Sequence, residues 1–270
     1  MTTERRFYDP DQAMFCDGAA TAQNGLDLAD GTWVTNFKHL NVRTSGAAVL
    51  YPDPRLNWLA RHYGDLTGKS VLELGSFEGA HTLQYESLGC ASVTGVEANE
   101  AHFLKSLLIK NAARSKNTQF LLGDFAKYLE ACDQHYDLVS ACGVLYHMTD
   151  PGAIIRDAAR VSKDGIFIWT VLFDPEYTPQ GHQNLVTGVE TVENGDLAYR
   201  GHKHYYRSVD PKAAKKDKNF SGGLDRYALW LEEDELIRIL KHYGFSQIAK
   251  EVRLDNPGHG KDMLLFARKA

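Results

Sequence analysis

The sequence predicts an α/β fold: a doubly wound, seven-stranded, mostly parallel sheet with an antiparallel C-terminal strand, plus a lid insert. Three observations carry that expectation. Short apolar runs alternate with helical stretches from Ser70 to about Phe173. The first three runs end in Gly75, in Glu97-Ala98 and in Gly123-Asp124. Residues 231–269 then read as helix, strand, turn, strand. Strands alternating with helices at this spacing imply βαβ units, and a terminal hairpin places one antiparallel strand at or near the sheet edge.

Taken in order, SVLELG (70–75) reads as a buried strand and residues 80–88 as a helix. SVTGVEA (92–98) is the second strand, and AHFLKSLLIKNAAR (101–114) has apolar positions at 103, 104, 107 and 108, a helical stripe. QFLLGD (119–124) is a third strand, FAKYLEA (125–131) a short helix, and YDLVSACGVL (136–145) a fourth strand running into a loop. Asp150-Pro151 opens a helix carrying Ile154, Ile155 and Ala158, and GIFIWTVLF (165–173) is the fifth strand. The alternation breaks over 174–228, where periodicity is weak. LEEDELIRILKHYGF (231–245) restores an amphipathic helix, and Asn256-Pro257-Gly258 separates the strands SQIAKEVRLD and DMLLFARK. The chain thus divides into an N-terminal arm, 1–66, and an α/β domain, 67–270, with the insert at 174–228.

At 270 residues the chain holds one α/β domain with additions. Its 43% hydrophobic and 24% charged residues are ordinary for a globular protein, and the net charge of −5 draws it toward neither nucleic acid nor an anionic membrane. No apolar run is long enough for a transmembrane helix, and the polar N-terminus lacks a signal-peptide core. Cys16, Cys90, Cys132 and Cys142 are scattered, which fits reduced thiols in a cytoplasmic enzyme.

In open α/β sheets, ligands sit beyond the carboxyl ends of the strands at the switch point. Here the first strand-to-helix turn is Glu73-Leu74-Gly75-Ser76-Phe77-Glu78-Gly79, whose glycines allow close approach to a ligand. Glu97 ends the second strand, where a carboxylate can accept both ribose hydroxyls, and Gly123-Asp124 ends the third. The stretch from Gly75, G-S-F-E-G-A, fails the dinucleotide fingerprint, and the GKS at 68–70 lacks the upstream glycine of a P-loop.

VLELGSFEG, VTGVEAN, LLGDF and YDLVSACGVLYHMTDP resemble motifs I to IV of the class I S-adenosylmethionine (SAM)-dependent methyltransferases. The resemblance covers Ser70 to Val171 and, less closely, the final helix and hairpin. It implies SAM as cofactor, with Glu73 and Gly75 by its methionine part, Glu97 on the ribose and Asp124 on the adenine amino group. Phe125 would pack on adenine, and Ser76, Gly79, Ala98, Gly123 and Cys142 would complete the site. Phe77 stands where the family usually has its middle glycine. The GVLYH stretch also resembles the tRNA wobble-uridine carboxymethyltransferases, whose matching tyrosine contacts a carboxylated cofactor. Their basic, tryptophan-rich N-terminal segment has only an echo in Trp33 to Val42.

Methyl transfer from a sulfonium needs alignment and, for hydroxyl or amine acceptors, a base. His147, after the fourth strand, is the general-base candidate, or else it fills the core under the loop. Tyr146 either orients substrate or packs on the cofactor. In the insert, GHKHYYR places His202 and His204 on one side of a strand-like stretch. Without carboxylate partners no metal is assigned to them. Arg226, in Asp225-Arg226-Tyr227, either clamps a substrate carboxylate or forms a surface ion pair. Lys212 to Lys218 reads as a solvated helix face or else the one place where phosphate could dock, and Trp33, Phe37, Lys38 and His39 either fold over the cofactor cleft or, as aromatic residues more often do, pack as core. The sequence therefore predicts transfer of a methyl group to oxygen or nitrogen of a small polar molecule. The alternatives are a tRNA-modifying enzyme and a non-catalytic SAM-binding protein. Nucleic acid is disfavoured without being excluded, and oligomeric state is left open.

Overall fold

A computed structural model describes residue 16 and residues 18–205 and 225–270. Lys212 to Lys218 and Arg207 lie outside the described residues. Two helices, α1 (Ala22–Asp27) and α2 (Pro54–Tyr63), precede the alternating core. That core runs β1 (Ser70–Leu74), α3 (Ala80–Ser87), β2 (Ser92–Glu97), α4 (Glu100–Ala113), β3 (Thr118–Leu122) and α5 (Phe125–Ala131). It continues through β4 (Tyr136–Cys142), α6 (Pro151–Val161) and β5 (Ser162–Val171). Next come α7 (Gln180–Gln183), β6 (Val186–Asn194), β7 (Leu197–Tyr205) and β8 (Tyr227–Trp230). The chain closes with α8 (Glu233–His242), β9 (Phe245–Asn256) and β10 (Gly260–Lys269).

The seven-stranded sheet has the order β3-β2-β1-β4-β5-β10-β9, with β10 antiparallel to both of its neighbours. Strand order therefore reverses between β1 and β4, which pair in parallel from Val71↔Leu138 to Glu73↔Ser140. Both faces are covered, so the strands are apolar on both sides. Leu72, Val139, Ile166, Ile168 and Leu265 pack with α6 and α8 through Ile155, Ala158, Leu236 and Ile239. Their neighbours Val71, Leu138, Phe167, Leu264 and Phe266 pack on the other face against Leu56 and Leu59 of α2 and Tyr85 of α3.

Helix starts follow local chemistry. Asp53, Asn99, Asp124 and Asp150 each cap a helix through a side-chain oxygen that accepts a backbone N–H. Pro54 and Pro151 open α2 and α6, where a missing N–H costs nothing.

Within and just beyond the weakly periodic insert, the described residues form a separate sheet, ordered β6-β7-β8. Tyr199 anchors it: the ring sits where a side chain on Gly152 would have to be, only 2.4 Å from a Cβ built there. The Tyr199 hydroxyl donates to Asp150 Oδ1 at 2.5 Å and accepts the Gly152 N–H at 3.1 Å.

In the N-terminal arm the aromatic residues take the core alternative. Trp33 and Phe37 are buried against Ala80, Leu83 and Ile109 on α3 and α4, while Lys38 and His39 are exposed. The large rings gain more from burial on the helices than from covering a polar cleft. Glu78 fastens the arm, accepting N–H groups from Val34 at 3.0 Å and Thr35 at 2.7 Å and pairing with Lys105 Nζ at 2.8 Å.

Both partners of the Glu78–Lys105 pair are fully buried. Removing one partner of such a pair typically costs roughly 3–5 kcal/mol, because the other charge stays desolvated. Lys105→Met should lower stability by that order in urea unfolding. A loss under about 1 kcal/mol would mean that the pair does not anchor the arm.

Candidate active site

The turn after β1 is shaped by backbone geometry. Gly75 has φ +67° and Phe77 φ +51°, left-handed values that cost a non-glycine residue about 1–2 kcal/mol. The turn is held in place at Phe77, whose N–H donates to Glu97 Oε2 at 2.7 Å. Asn99 N–H donates to Glu97 Oε1 at 2.8 Å. Each carboxylate oxygen keeps capacity for a further donor. Burial pushes the Glu97 carboxyl up to about 7; the backbone donors oppose that rise and the neighbouring Glu73 adds to it. Ser76 Oγ, buried at the same turn, has no hydrogen-bond partner among the described residues.

A cleft of about 1020 Å³ opens beyond these strand ends. Of the residues expected to hold a cofactor, it is lined by Glu73, Gly75, Ser76, Glu97, Ala98, Asp124, Phe125 and Cys142. Asp124 Oδ1 accepts the Ala126 N–H at 2.9 Å, which leaves Oδ2 for another donor. Gly79 and Gly123 do not line the cleft. Gly79, at φ +81°, lets α3 sit against Phe120, whose ring lies 2.8 Å from a Cβ built there. Gly123 N–H donates to Glu97 O at 2.9 Å and ties two strand ends together.

Sequence reasoning missed a charged network at one end of the cleft. Arg55 grips Asp53 through Nε and Nη2, the latter at 2.5 Å, and lies over the Trp169 ring at 4.5 Å. His81 bridges Asp53 Oδ2 at 2.8 Å and Glu73 Oε1 at 3.5 Å. Burial opposes charge on Asp53 and on His81, and their contacts outweigh it. Asp53 falls well below the ordinary carboxyl range through His81 and Arg55. His81 is raised well above the usual imidazole value by Cys142, Asp53 and Glu73. The Asp-Pro-Arg of α2 carried a helix-start signal, but nothing in the sequence linked it to β1.

The far side is built by the loop after β4. Tyr146 and His147 line the cleft, and the Tyr146 ring meets Trp169 edge-on at 5.8 Å. Burial, with the nearby His259 and His204 rings, pushes His147 down to about 3, so it is neutral throughout the physiological range. The small sheet clamps this loop: Trp230 Nε1–H donates to Tyr146 O at 3.1 Å, and Leu229 N–H donates to Met148 O at 2.8 Å.

The remaining candidates lie elsewhere. His202 stacks on Phe173 and bonds Glu232 at 2.7 Å, so it joins the small sheet to the start of α8. His204 stacks on Trp230 at 4.1 Å, behind the loop, and is not part of the cleft lining. Arg226 is exposed and also outside the lining, although Asp225 lines the cleft and accepts from Thr149 Oγ1 at 3.3 Å. The two histidines share a strand face, but each is engaged by a different partner. Among the described residues no group of three or more His, Cys, Asp or Glu is arranged to hold a metal ion, and no helix is long and apolar enough to cross a membrane.

Comparison with known proteins agrees with this geometry. A family model described as a methyltransferase domain matches residues 72–169. The chain is 25% identical over 170 residues to the ubiquinone biosynthesis O-methyltransferase of Acinetobacter baylyi, covering 62% of this chain and 68% of that protein. It is 29% identical over 161 residues to the enzyme of the same name from Pseudomonas savastanoi pv. phaseolicola, covering 58% and 65%. Among solved structures, the N-terminal domain of EvdMO1 with S-adenosylhomocysteine (SAH) bound superposes with a TM-score of 0.67 at 24% identity. That superposition covers 92% of this chain and 95% of the other. Strand order, the carboxylates at three successive strand ends and the matched model agree: residues 72–169 form a methyltransferase domain, and the chain has the fold of the class I SAM-dependent methyltransferases.

Proposed function

We propose that the protein transfers the methyl group of SAM to a hydroxyl oxygen of a small polar molecule, with the 174–228 insert acting as a lid over the acceptor. The observation that carries this reading is the charge of the cleft. Among the described residues its lining includes the carboxylates Glu73, Glu97, Glu100, Asp124, Glu130, Asp150 and Asp225, and Arg55 is the one arginine or lysine that lines it. A phosphate backbone needs the opposite sign, so the tRNA reading loses support. Volume points the same way: ligand pockets commonly measure about 300–1,000 Å³, and this cleft, at the top of that range, has room for a nucleoside cofactor plus a small acceptor.

Roles follow from the groups left available. Glu97 would take the ribose hydroxyls, Asp124 Oδ2 the adenine amino group and Phe125 the adenine face. Arg55, with the charged His81 beside it, would hold the methionine carboxylate. Tyr146 and Trp169 would present aromatic surface to the cationic sulfur. When bound, SAM would supply a methyl on positive sulfur, which passes to the hydroxyl oxygen with SAH as the leaving group and the hydroxyl proton released to water. His147, neutral and half-buried, would orient that hydroxyl by accepting its hydrogen bond, since its low proton affinity suits alignment better than full proton removal. The oxygen acceptor draws support from the relatives named O-methyltransferases and from the neighbouring structure obtained with SAH and D-fucose. Four free cysteines fit a cytoplasmic location.

The Glu97 reading has a pH signature. Ribose hydroxyls bind the carboxylate form, and the unliganded carboxyl sits at about 7, so binding draws that value down. Affinity for SAH should therefore rise with pH through neutrality, about tenfold from pH 6 to pH 8, and level off above. Calorimetry on Glu97→Gln should show weaker binding with that slope removed. An equal slope in the variant would clear Glu97 of the role. The acceptor class is tested with methyl-labelled SAM against hydroxylated sugars, phenols and tRNA. Label in a hydroxylated small molecule is expected, and label in tRNA alone would overturn the proposal.

A further inference from the structure

Behind the acceptor loop, four histidines from four different segments meet: His147 of the loop, His182 of α7, His204 of β7 and His259 of the β9–β10 turn. Their hydrogen bonds have a direction. Gly258 O, 2.8 Å from His182 Nε2, can only accept, so that nitrogen carries a hydrogen. A neutral His182 then presents a bare Nδ1, to which His204 Nε2–H donates across 3.0 Å. His204 lies flat on Trp230, with ring centroids 4.1 Å apart and planes 11° apart. Trp230 is 2% exposed, and its indole N–H ends the series on the Tyr146 carbonyl at 3.1 Å.

We infer that the His182–His204–Trp230 series is the positioning element of the acceptor loop, holding Tyr146 and His147 in register with the small sheet, and that it comes apart on mild acidification. A second proton on His204, 4% exposed and flat on Trp230, would put a positive charge among the His147, His182 and His259 rings. The surroundings offer little to offset the charge. His147 and His259 face the same group, Tyr146 and Trp230 are neutral, and the carboxylate acting on His259 is Asp262, already gripped by Arg253 at 2.8 and 2.9 Å. In keeping with this, burial and the neighbouring rings push His204 down to about 4 and lower His259 as well. A histidine kept neutral when docked and free to charge when released favours release as pH falls below its ordinary value near 6.5. The inference stands on the geometry around Trp230. It draws on the methyl-transfer reading only for its consequence, that the acceptor site is assembled near neutral pH and loosened in acid.

The test uses the full chain labelled with ¹⁵N, following hydrogen exchange at the Trp230 indole N–H and at the Leu229 amide that donates to Met148 O. After correction for intrinsic exchange, protection of both should fall about tenfold or more between pH 7.5 and pH 5.5, roughly tenfold per pH unit below 6.5 for each histidine that charges. His204→Phe keeps a ring on Trp230 and removes the titrating group, so its protection should vary much less over that range. Wild-type protection that is unchanged from pH 7.5 to 5.5, or a His204→Phe variant as acid-sensitive as wild type, would overturn the inference. Should that variant not fold, the wild-type comparison decides alone. Titration with SAH at pH 7.5 on the same samples tests the cofactor reading separately.

Discussion

The carboxylate of Glu97 is the point on which the site depends. It ends β2, and by accepting N–H groups from Phe77 and Asn99 it fixes both the turn after β1 and the start of α4. Without it, the left-handed backbone at Phe77 would have no partner to hold it and the space beyond the sheet would lose its floor. Its proton affinity, raised by burial, marks a carboxylate set where charge is costly until hydroxyl donors arrive.

Around that floor the protein adds two walls of different character. One is electrostatic, with Asp53, Arg55, His81 and Glu73 forming a buried alternation of charge whose members stabilise each other's ionised forms. The other is mechanical. The loop carrying Tyr146 and His147 is too short to fix its own shape, and the small sheet holds it through the Trp230 and Leu229 hydrogen bonds and through Tyr199 at the start of α6. On the proposed reading, acceptor recognition would be tied to a part of the chain outside the α/β repeat, which is how one scaffold serves many acceptors.

The repeat itself was legible because strands buried on both faces need unbroken apolar runs, and because helix caps and turn glycines are local signals. Each main-sheet strand and the helices between them lie within a few residues of the expected positions. Three of the lining carboxylates, Glu73, Glu97 and Asp124, were legible too, since topology alone brings strand ends together. What stayed hidden depends on distant pairing. LAYRGHKHY alternates buried and exposed positions as β7, yet its partners lie in β6 and β8, and histidine, lysine and glycine mask the pattern. Arg55 and His81 are 26 positions apart and meet only because α2 and α3 pack on the same sheet face. His202 and His204 read as a pair from their spacing; in the fold, one serves α8 and the other serves Trp230.

A structure of the protein with SAH bound tests the central claim most directly. The account predicts both ribose hydroxyls within hydrogen-bonding distance of the Glu97 carboxylate, with the Phe77 and Asn99 contacts kept and the amino-acid end of the ligand on Arg55. A nucleoside bound away from Glu97, or a Glu97 that leaves the Phe77 amide to bind it, would contradict the account.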